Sequence, residues 1–541
     1  MPEPLDEWFE SPEVSETFGA FTEHLDESWQ SRVAALQSMR SQGRETLWWP
    51  FTQHGNVDDD NKVTLVDSAS GDNFEVVKTD HGNNLVRDSI MDSCASWWTQ
   101  GVGHGESSIA LATGAAAGRY GHVIFPDIVH APALELSKKL VGPTGPGHGW
   151  ASRVFFTDDG STAMEVGIKM GLKSFQKWHG ISDEAMNDHD WIVCAQQDCY
   201  HGDTLGVMDV AEPSVFNEGQ QPWYEPKGIF LFTPTLGYMD GQLHISMEDG
   251  TTLVMDSRDA VMDVEGRRKS RQYHRYLQAI EQAWEDCEKT VGPTGKPRKI
   301  GSLVIEPVFI GAGGMKFVDP LWQRALIDYA RDKRVPVVFD EVASGFYRAG
   351  VCSCREILGV DPDVASYAKL LTGGLLTMSV TLASEDVFET FLGDEKGQAL
   401  LHGHSYTASP VGCVSSIHAL ETYDEVLGKQ SRKDRDLFDL DQIKALSNLP
   451  LVQQSFSLGT VLAVTIKPED GGAAGYAAAS RTVPMARALR EAGIYSRPLG
   501  NVLYIMASPL TSKEDCAKLA STLHGIIEKF GNDMERESSA A

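Results

Sequence analysis

A carboxylate closes the apolar run Val335-Pro-Val-Val-Phe-Asp340-Glu341, and a lysine follows it in Tyr367-Ala-Lys369-Leu-Leu-Thr-Gly-Gly374. A buried strand ending in Asp can hold its carboxylate against a pyridine nitrogen and keep that ring protonated, so that it draws electrons from a carbanion. A lysine a short distance on can form a Schiff base with an aldehyde. Together Asp340 and Lys369 suggest pyridoxal 5'-phosphate chemistry.

Such groups need a scaffold. Gly301-Ser-Leu-Val-Ile-Glu306 reads as a strand, and Trp322, Ala325, Leu326 and Tyr329 then recur at helical spacing. Asp319 fits the N-cap and Pro320 the first helical position. Lys333 and Arg334 suit the C-terminal end of that helix, after which the chain enters the strand ending at Asp340. This is a β-α-β unit, which predicts a parallel sheet with helices on its faces and ligands at the strands' carboxyl ends.

Two other segments fit the same edge. Arg153-Val-Phe-Phe-Thr157 reads as a strand running through Asp158-Asp-Gly160-Ser161 into a helix carrying Met164, Ile168, Leu172 and Phe175. Gly160 and Ser161 at its N-terminus would suit a phosphate, although a plain capped helix looks the same in sequence. Trp191-Ile-Val-Cys194-Ala leads to Tyr200-His201-Gly202, where Tyr200 could stack on a flat ring and where an ordinary turn reads equally well. The Gly373-Gly374 pair would relieve crowding beside Lys369, as would a simple loop.

The chain has 541 residues and a formal charge of −29, which argues against a nucleic-acid or anionic-membrane partner. Its 8 cysteines form no Cys-x-x-Cys pair, so neither a disulfide framework nor a zinc ribbon is expected. The spelling His402-Gly-His404 lacks an acidic or cysteine ligand at a suitable spacing, so no metal is expected. No run is long and apolar enough to span a membrane. The acidic start Met1-Pro-Glu-Pro-Leu-Asp-Glu predicts no leader, hence a cytoplasmic location, or the mitochondrial matrix if a segment outside this sequence does the targeting.

Phe339-Asp340-Glu341-Val-Ala-Ser-Gly345-Phe-Tyr-Arg348-Ala-Gly350, with Lys369, resembles the signature of class III aminotransferases, which are fold-type I pyridoxal phosphate enzymes. Cys94-Ala-Ser-Trp97-Trp98, Leu371 to Leu382 and Ser496-Arg497 to Tyr504 are similar to the diaminopelargonate aminotransferase branch, in its plant and fungal form. The likeness runs from about Trp48 to about residue 530. It implies an α/β fold, with a large domain built on a mostly parallel central sheet flanked by helices and a smaller α+β domain. The domains it implies are an acidic extension (1–45), an N-terminal part of the small domain (46–105), a large cofactor-binding domain (106–414, with a surface insert near 244–270) and a C-terminal small domain (415–541).

The resemblance also implies roles. Lys369 would carry pyridoxal 5'-phosphate and shuttle protons, and Asp340 would pair with the ring nitrogen. Tyr200 would stack on the ring and act in catalysis, with Gly160, Ser161, His201 and Glu306 completing the cofactor set. Ser405 would be lent to the phosphate by the neighbouring subunit, so a homodimer with shared active sites follows. Phe51, Trp97, Trp98, Arg348, Arg497 and Tyr504 would contact substrate, Arg497 gripping a carboxylate in a bidentate fork. The implied reaction aminates 8-amino-7-oxononanoate to 7,8-diaminononanoate with S-adenosylmethionine as donor, a step of biotin biosynthesis.

Gly292-Pro-Thr-Gly295-Lys296-Pro has the wrong spacing for a P-loop, so the chain is expected to hold the transaminase half of the plant and fungal fusions. A dethiobiotin synthetase domain or protein is then the implied partner. The residues leave three rivals open. They are a class III aminotransferase for lysine, ornithine or another ω-amino donor, a catalytically idle scaffold subunit, and a metal enzyme using His201, His402 and His404.

Overall fold

The structure, a computed structural model, describes residues 35, 36, 38–79, 85–468 and 480–540. Most of the expected acidic extension, including Ala34, lies outside them. The chain divides into two compact units, Met1–Met91 and Asp92–Ala541.

In the first unit, strands Leu65–Ser70, Asn73–Thr79 and Leu85–Asp92 form an antiparallel meander. Its first turn uses Gly71 at φ 57°. Leu36, Leu65 and Val77 make its small core, with Leu85 packed against them.

The second unit is built on a seven-stranded sheet. Its strands, in chain order, are β1 (Arg153–Thr157), β2 (Asp190–Gln196), β3 (Gly228–Leu231), β4 (Arg298–Ile305), β5 (Val337–Asp340), β6 (Val364–Tyr367) and β7 (Ser379–Ala383). Their spatial order is β1-β7-β6-β5-β4-β2-β3, and only β7 runs antiparallel to its neighbours. Five of these strands, β2 and β4 to β7, are buried along most or all of their length, as expected of apolar runs covered on both faces.

Helix α1 (Gly160–Trp178) crosses one face, burying Met164, Ile168 and Phe175. Helix α2 (Pro320–Asp332) joins β4 to β5, completing the expected β-α-β unit. Asp319 caps α2 through Leu321 N, and its carboxylate also takes a two-pronged bond from Arg267 at 2.6 and 2.8 Å. Helix α3 (Pro410–Val426) packs on the turn Lys369–Thr372.

A second, antiparallel sheet includes Thr235–Met239, Val452–Leu458, Val461–Ile466 and Val502–Met506. The 244–270 stretch joins it through the hairpin Gln242–Ser246 and Thr252–Met255, then forms helices Arg258–Met262 and Val264–Arg267. It buries Ile245, Val261 and Val264 while its polar tip, Glu248 to Gly250, stays exposed.

Candidate active site

Register brings the chemistry together. Ile305 pairs with Phe339, which sets Glu306 beside Asp340, and Asp340 pairs with Ser366, three residues before Lys369. Tyr200 and His201 follow β2, while Gly160 and Ser161 follow β1. All lie beyond the carboxyl ends of parallel strands, where such sheets leave a crevice.

Asp340 is buried, and its Oδ2 lies 2.7 Å from Nδ1 of equally buried His201. Its Oδ1 accepts from Val342 N at 3.1 Å. Burial disfavours charge on the imidazole. Cys199 and the Asp340 carboxylate outweigh burial and hold His201 well above the ordinary histidine range. Glu306 accepts from Tyr200 N at 2.9 Å and Gly311 N at 3.0 Å. Burial, and then the Asp340 charge, pushes its carboxyl up to about 7.

Lys369 adopts a left-handed φ of 50° and opens a 3-10 turn closed by Gly373. The turn is fastened by α3, whose Tyr423 hydroxyl donates to Leu370 O at 2.9 Å and Ser415 Oγ to Thr372 O at 2.8 Å. Gly374, at φ 94°, lies so close to the preceding segment that a Cβ would sit 2.9 Å from Gln100 Cα. Desolvation lowers the Lys369 amine to about 8, against the opposing pull of Asp340 and Glu306. Its Nζ stands 4.4 Å from the centre of the Trp98 ring.

The N-terminus of α1 forms a cradle. Asp159 caps it through Thr162 N, which leaves the N–H groups of Gly160 and Ser161 outside the helix's own bonding. Ser161 Oγ accepts from Asp203 N at 3.0 Å, and Gly202 at φ 128° passes so close that a Cβ would overlap Ser161. A partly buried amine of lowered basicity, a buried carboxylate steadied by His201, and a helix N-terminus backed by a serine make a donor set that fits pyridoxal 5'-phosphate.

A family model described as Aminotransferase class-III matches residues 68–527. The chain belongs to the class III aminotransferase family. It is 38% identical over 97% of its length to the mitochondrial bifunctional dethiobiotin synthetase/7,8-diamino-pelargonic acid aminotransferase of Oryza sativa subsp. japonica, spanning 65% of that protein. It is 30% identical over 90% of its length to the adenosylmethionine-8-amino-7-oxononanoate aminotransferase of Synechococcus elongatus, covering 99% of it. The solved adenosylmethionine-8-amino-7-oxononanoate aminotransferase of Methanocaldococcus jannaschii superposes with a TM-score of 0.70 at 22% identity, covering 91% of this chain and 99% of that one. The fold is thus that of class III aminotransferases.

Of the candidate substrate residues expected of this class III chain, Trp98 lies against Lys369 and Tyr504 bonds to Trp98. Trp98 Nε1 donates to Tyr504 Oη at 3.2 Å, and Arg497 lies over the half-exposed Trp97 ring at 5.1 Å. Phe51 belongs to the first unit, half-exposed at φ 50°. Ser405 is exposed, next to Tyr406 whose ring meets His122 at 4.9 Å.

Arg348, expected as a substrate contact, is packed inside the fold. Its side chain is fully buried, with Nη1 donating to Thr460 Oγ1 at 2.8 Å and Ala507 O at 2.5 Å, and Nη2 to Trp98 O at 3.0 Å. Burial lowers its guanidinium to about 10. Arg348 therefore holds the Trp98 backbone, because the nearby carbonyls come from elements remote in sequence.

Sequence reading of this aminotransferase missed Glu341. It is buried and accepts from Ser353 Oγ, Cys354 N at 2.9 Å and Tyr367 Oη at 3.1 Å. Burial raises its carboxyl to about 7. Its place beside Asp340 at the end of an apolar strand was the available signal. His402 faces Lys169 at 3.2 Å, and among the described residues no group of His, Cys, Asp and Glu could hold a metal ion.

Proposed function

We propose that this protein is a pyridoxal 5'-phosphate-dependent transaminase that aminates 8-amino-7-oxononanoate to 7,8-diaminononanoate, taking the amino group from S-adenosylmethionine. The observation that carries the reading is the strand-end arrangement of Lys369 and the Asp340–His201 pair, in a chain 38% identical to a relative named for this aminotransferase.

Bound here, pyridoxal 5'-phosphate supplies an aldehyde that exchanges amino groups and a ring that draws electrons from the substrate carbon. Asp340 would hold the proton on the ring nitrogen; opposite charges about 4 Å apart attract by about 4 kcal/mol at an effective dielectric of 20. His201 keeps that carboxylate oriented. The Gly160 and Ser161 N–H groups would take the phosphate, and Tyr200 would cover the ring. Lys369 Nζ, with basicity lowered to about 8 by burial, is matched to taking a proton from the substrate carbon and returning it. Arg497 would grip the carboxylate of each substrate, while Trp97 and Trp98 exclude water from the apolar chain.

The reading includes a homodimer with shared active sites. Exposed Leu111, Ile124, Val129, Leu401 and Tyr406 support a covered face, and exposed Ser405 would then serve the other subunit's phosphate. The bifunctional Oryza sativa relative supports a dethiobiotin synthetase domain or protein as partner, and its mitochondrial designation supports the mitochondrial matrix. Among the described residues no helix is long and apolar enough to cross a membrane.

The test is a turnover assay on the keto acid with S-adenosylmethionine against lysine. Borohydride reduction of the holoenzyme should leave a cofactor mass on Lys369. Product formed only with lysine overturns the donor, and a cofactor adduct absent from Lys369 overturns the enzyme.

A further inference from the structure

Four consecutive non-glycine residues, Ala95 (φ 44°), Ser96 (46°), Trp97 (66°) and Trp98 (74°), wind into a single left-handed turn. Left-handed helical backbone costs about 1–2 kcal/mol per L-residue, so such a turn persists only where its surroundings hold it. The turn decides where both indoles go, with Trp98 beneath Lys369 and Trp97 under Arg497.

A hydrogen-bonded chain outside the expected site holds the turn. Asp92, 2% exposed at its side chain, accepts from Ser96 N at 2.6 Å and Ser96 Oγ at 2.8 Å on Oδ2, and from Cys94 N at 3.2 Å on Oδ1. The same Oδ2 meets His104 Nε2 at 3.1 Å, and Ser96 Oγ lies 3.4 Å from that nitrogen. His104 Nδ1 meets Gln100 Nε2 at 3.0 Å. Gln100 Oε1 accepts from Gly101 N at 3.1 Å, which fixes the amide's orientation and makes Nε2 a donor. His104 Nδ1 must then accept, and Nε2 carries the proton toward Asp92.

We propose that His104, acting through Asp92, is a positioning residue for the transamination: it locks the left-handed turn so that Trp98 and Trp97 form the substrate wall against Lys369 and Arg497. His104 acts on Asp92, Ser96 and Gln100, which belong to or flank the turn, so its loss should affect substrate binding more than chemistry. The kinetic half of this proposal rests on the function proposed above; the geometric half does not.

Two measurements separate them. In the holoenzyme, His104→Leu should raise the keto-acid KM by about tenfold with kcat changed less than about twofold. His104→Gln, which can still donate to Asp92, should recover most of that loss. In the cofactor-free full chain, an amine-reactive reagent followed by mass spectrometry should label Lys369 several-fold faster in His104→Leu, as in the Trp98→Ala control, because the indole no longer covers the amine. Unchanged labelling in His104→Leu overturns the proposal, as does a lower Tm and kcat with unchanged KM, the pattern of a merely structural role. Should His104→Leu not fold, the same criteria apply to His104→Gln against wild type, with a rise in KM of about twofold expected and none overturning. Faster labelling in a protein that does not turn over the keto acid would sink the functional reading and sustain the role of His104 in the turn.

Discussion

Nδ1 of His201 lies 2.7 Å from Oδ2 of Asp340, with both side chains out of solvent. This contact fixes the direction of a buried carboxylate whose charge also acts on Lys369 and Glu306.

Replacing His201 with Phe should leave that carboxylate exposed to the full cost of burial, about 3–5 kcal/mol. Because the folded imidazole titrates well above 6.5, its contribution is complete below 6.5 and disappears only as pH rises through the raised folded value. Urea unfolding of wild type and His201→Phe should therefore differ most in acid and neutral buffer and converge in alkaline buffer. A constant gap across that range would contradict the pairing.

Lys369 has the opposite sign. Its folded amine titrates at about 8 against 10.5 when free, so its favourable contribution is complete above 10.5 and is lost as pH falls through about 8. The cofactor-free Lys369→Met variant should be more stable than wild type at pH 7, by up to ~3 kcal/mol, since one pKa unit is worth about 1.4 kcal/mol. Thermal unfolding at pH 7 and pH 10 measures the difference, which should shrink at the higher pH.

Glu341, raised from 4.5 to about 7, contributes fully below 4.5 and loses that contribution as pH rises through 7. Glu341→Gln keeps acceptor capacity without the charge, so its stability should fall less than wild type's between pH 5 and 8. Glu341→Leu, which strands the Ser353, Cys354 and Tyr367 donors, should lose about 1–3 kcal/mol per unsatisfied group. Denaturant titrations of both variants decide between these outcomes.

Gly202→Ala should push Ser161 off the helix N-terminus, since the new Cβ overlaps it and φ is 128°. Pyridoxal 5'-phosphate affinity should fall by about tenfold or more, the loss of one charge-assisted hydrogen bond of about 1.5–3 kcal/mol. Equilibrium dialysis reads it directly, and Gly149→Ala, at φ 81° in open space, controls for backbone strain alone.

The sheet was legible because its central strands are largely apolar runs and the β4-α2-β5 unit carries both a cap, Asp319, and an opening proline, Pro320. Asp340 and Lys369 stood out for the same reason, as polar groups at the ends of those runs. The 244–270 stretch reads as surface because its polar tip dominates composition, whereas its buried residues alternate with polar ones along a hairpin.

Local periodicity and side-chain chemistry by themselves determined the α/β architecture, the strand-end placement of the reactive groups and the class of cofactor they suit. Only the tertiary structure decided that Arg348 binds carbonyls of Trp98 and Ala507, that His201 faces Asp340, and that Ala95 to Trp98 wind left-handed. Those outcomes depend on partners 100 or more residues away, or on backbone angles that Ala, Ser and Trp disfavour, and neither leaves a periodic trace in the chain.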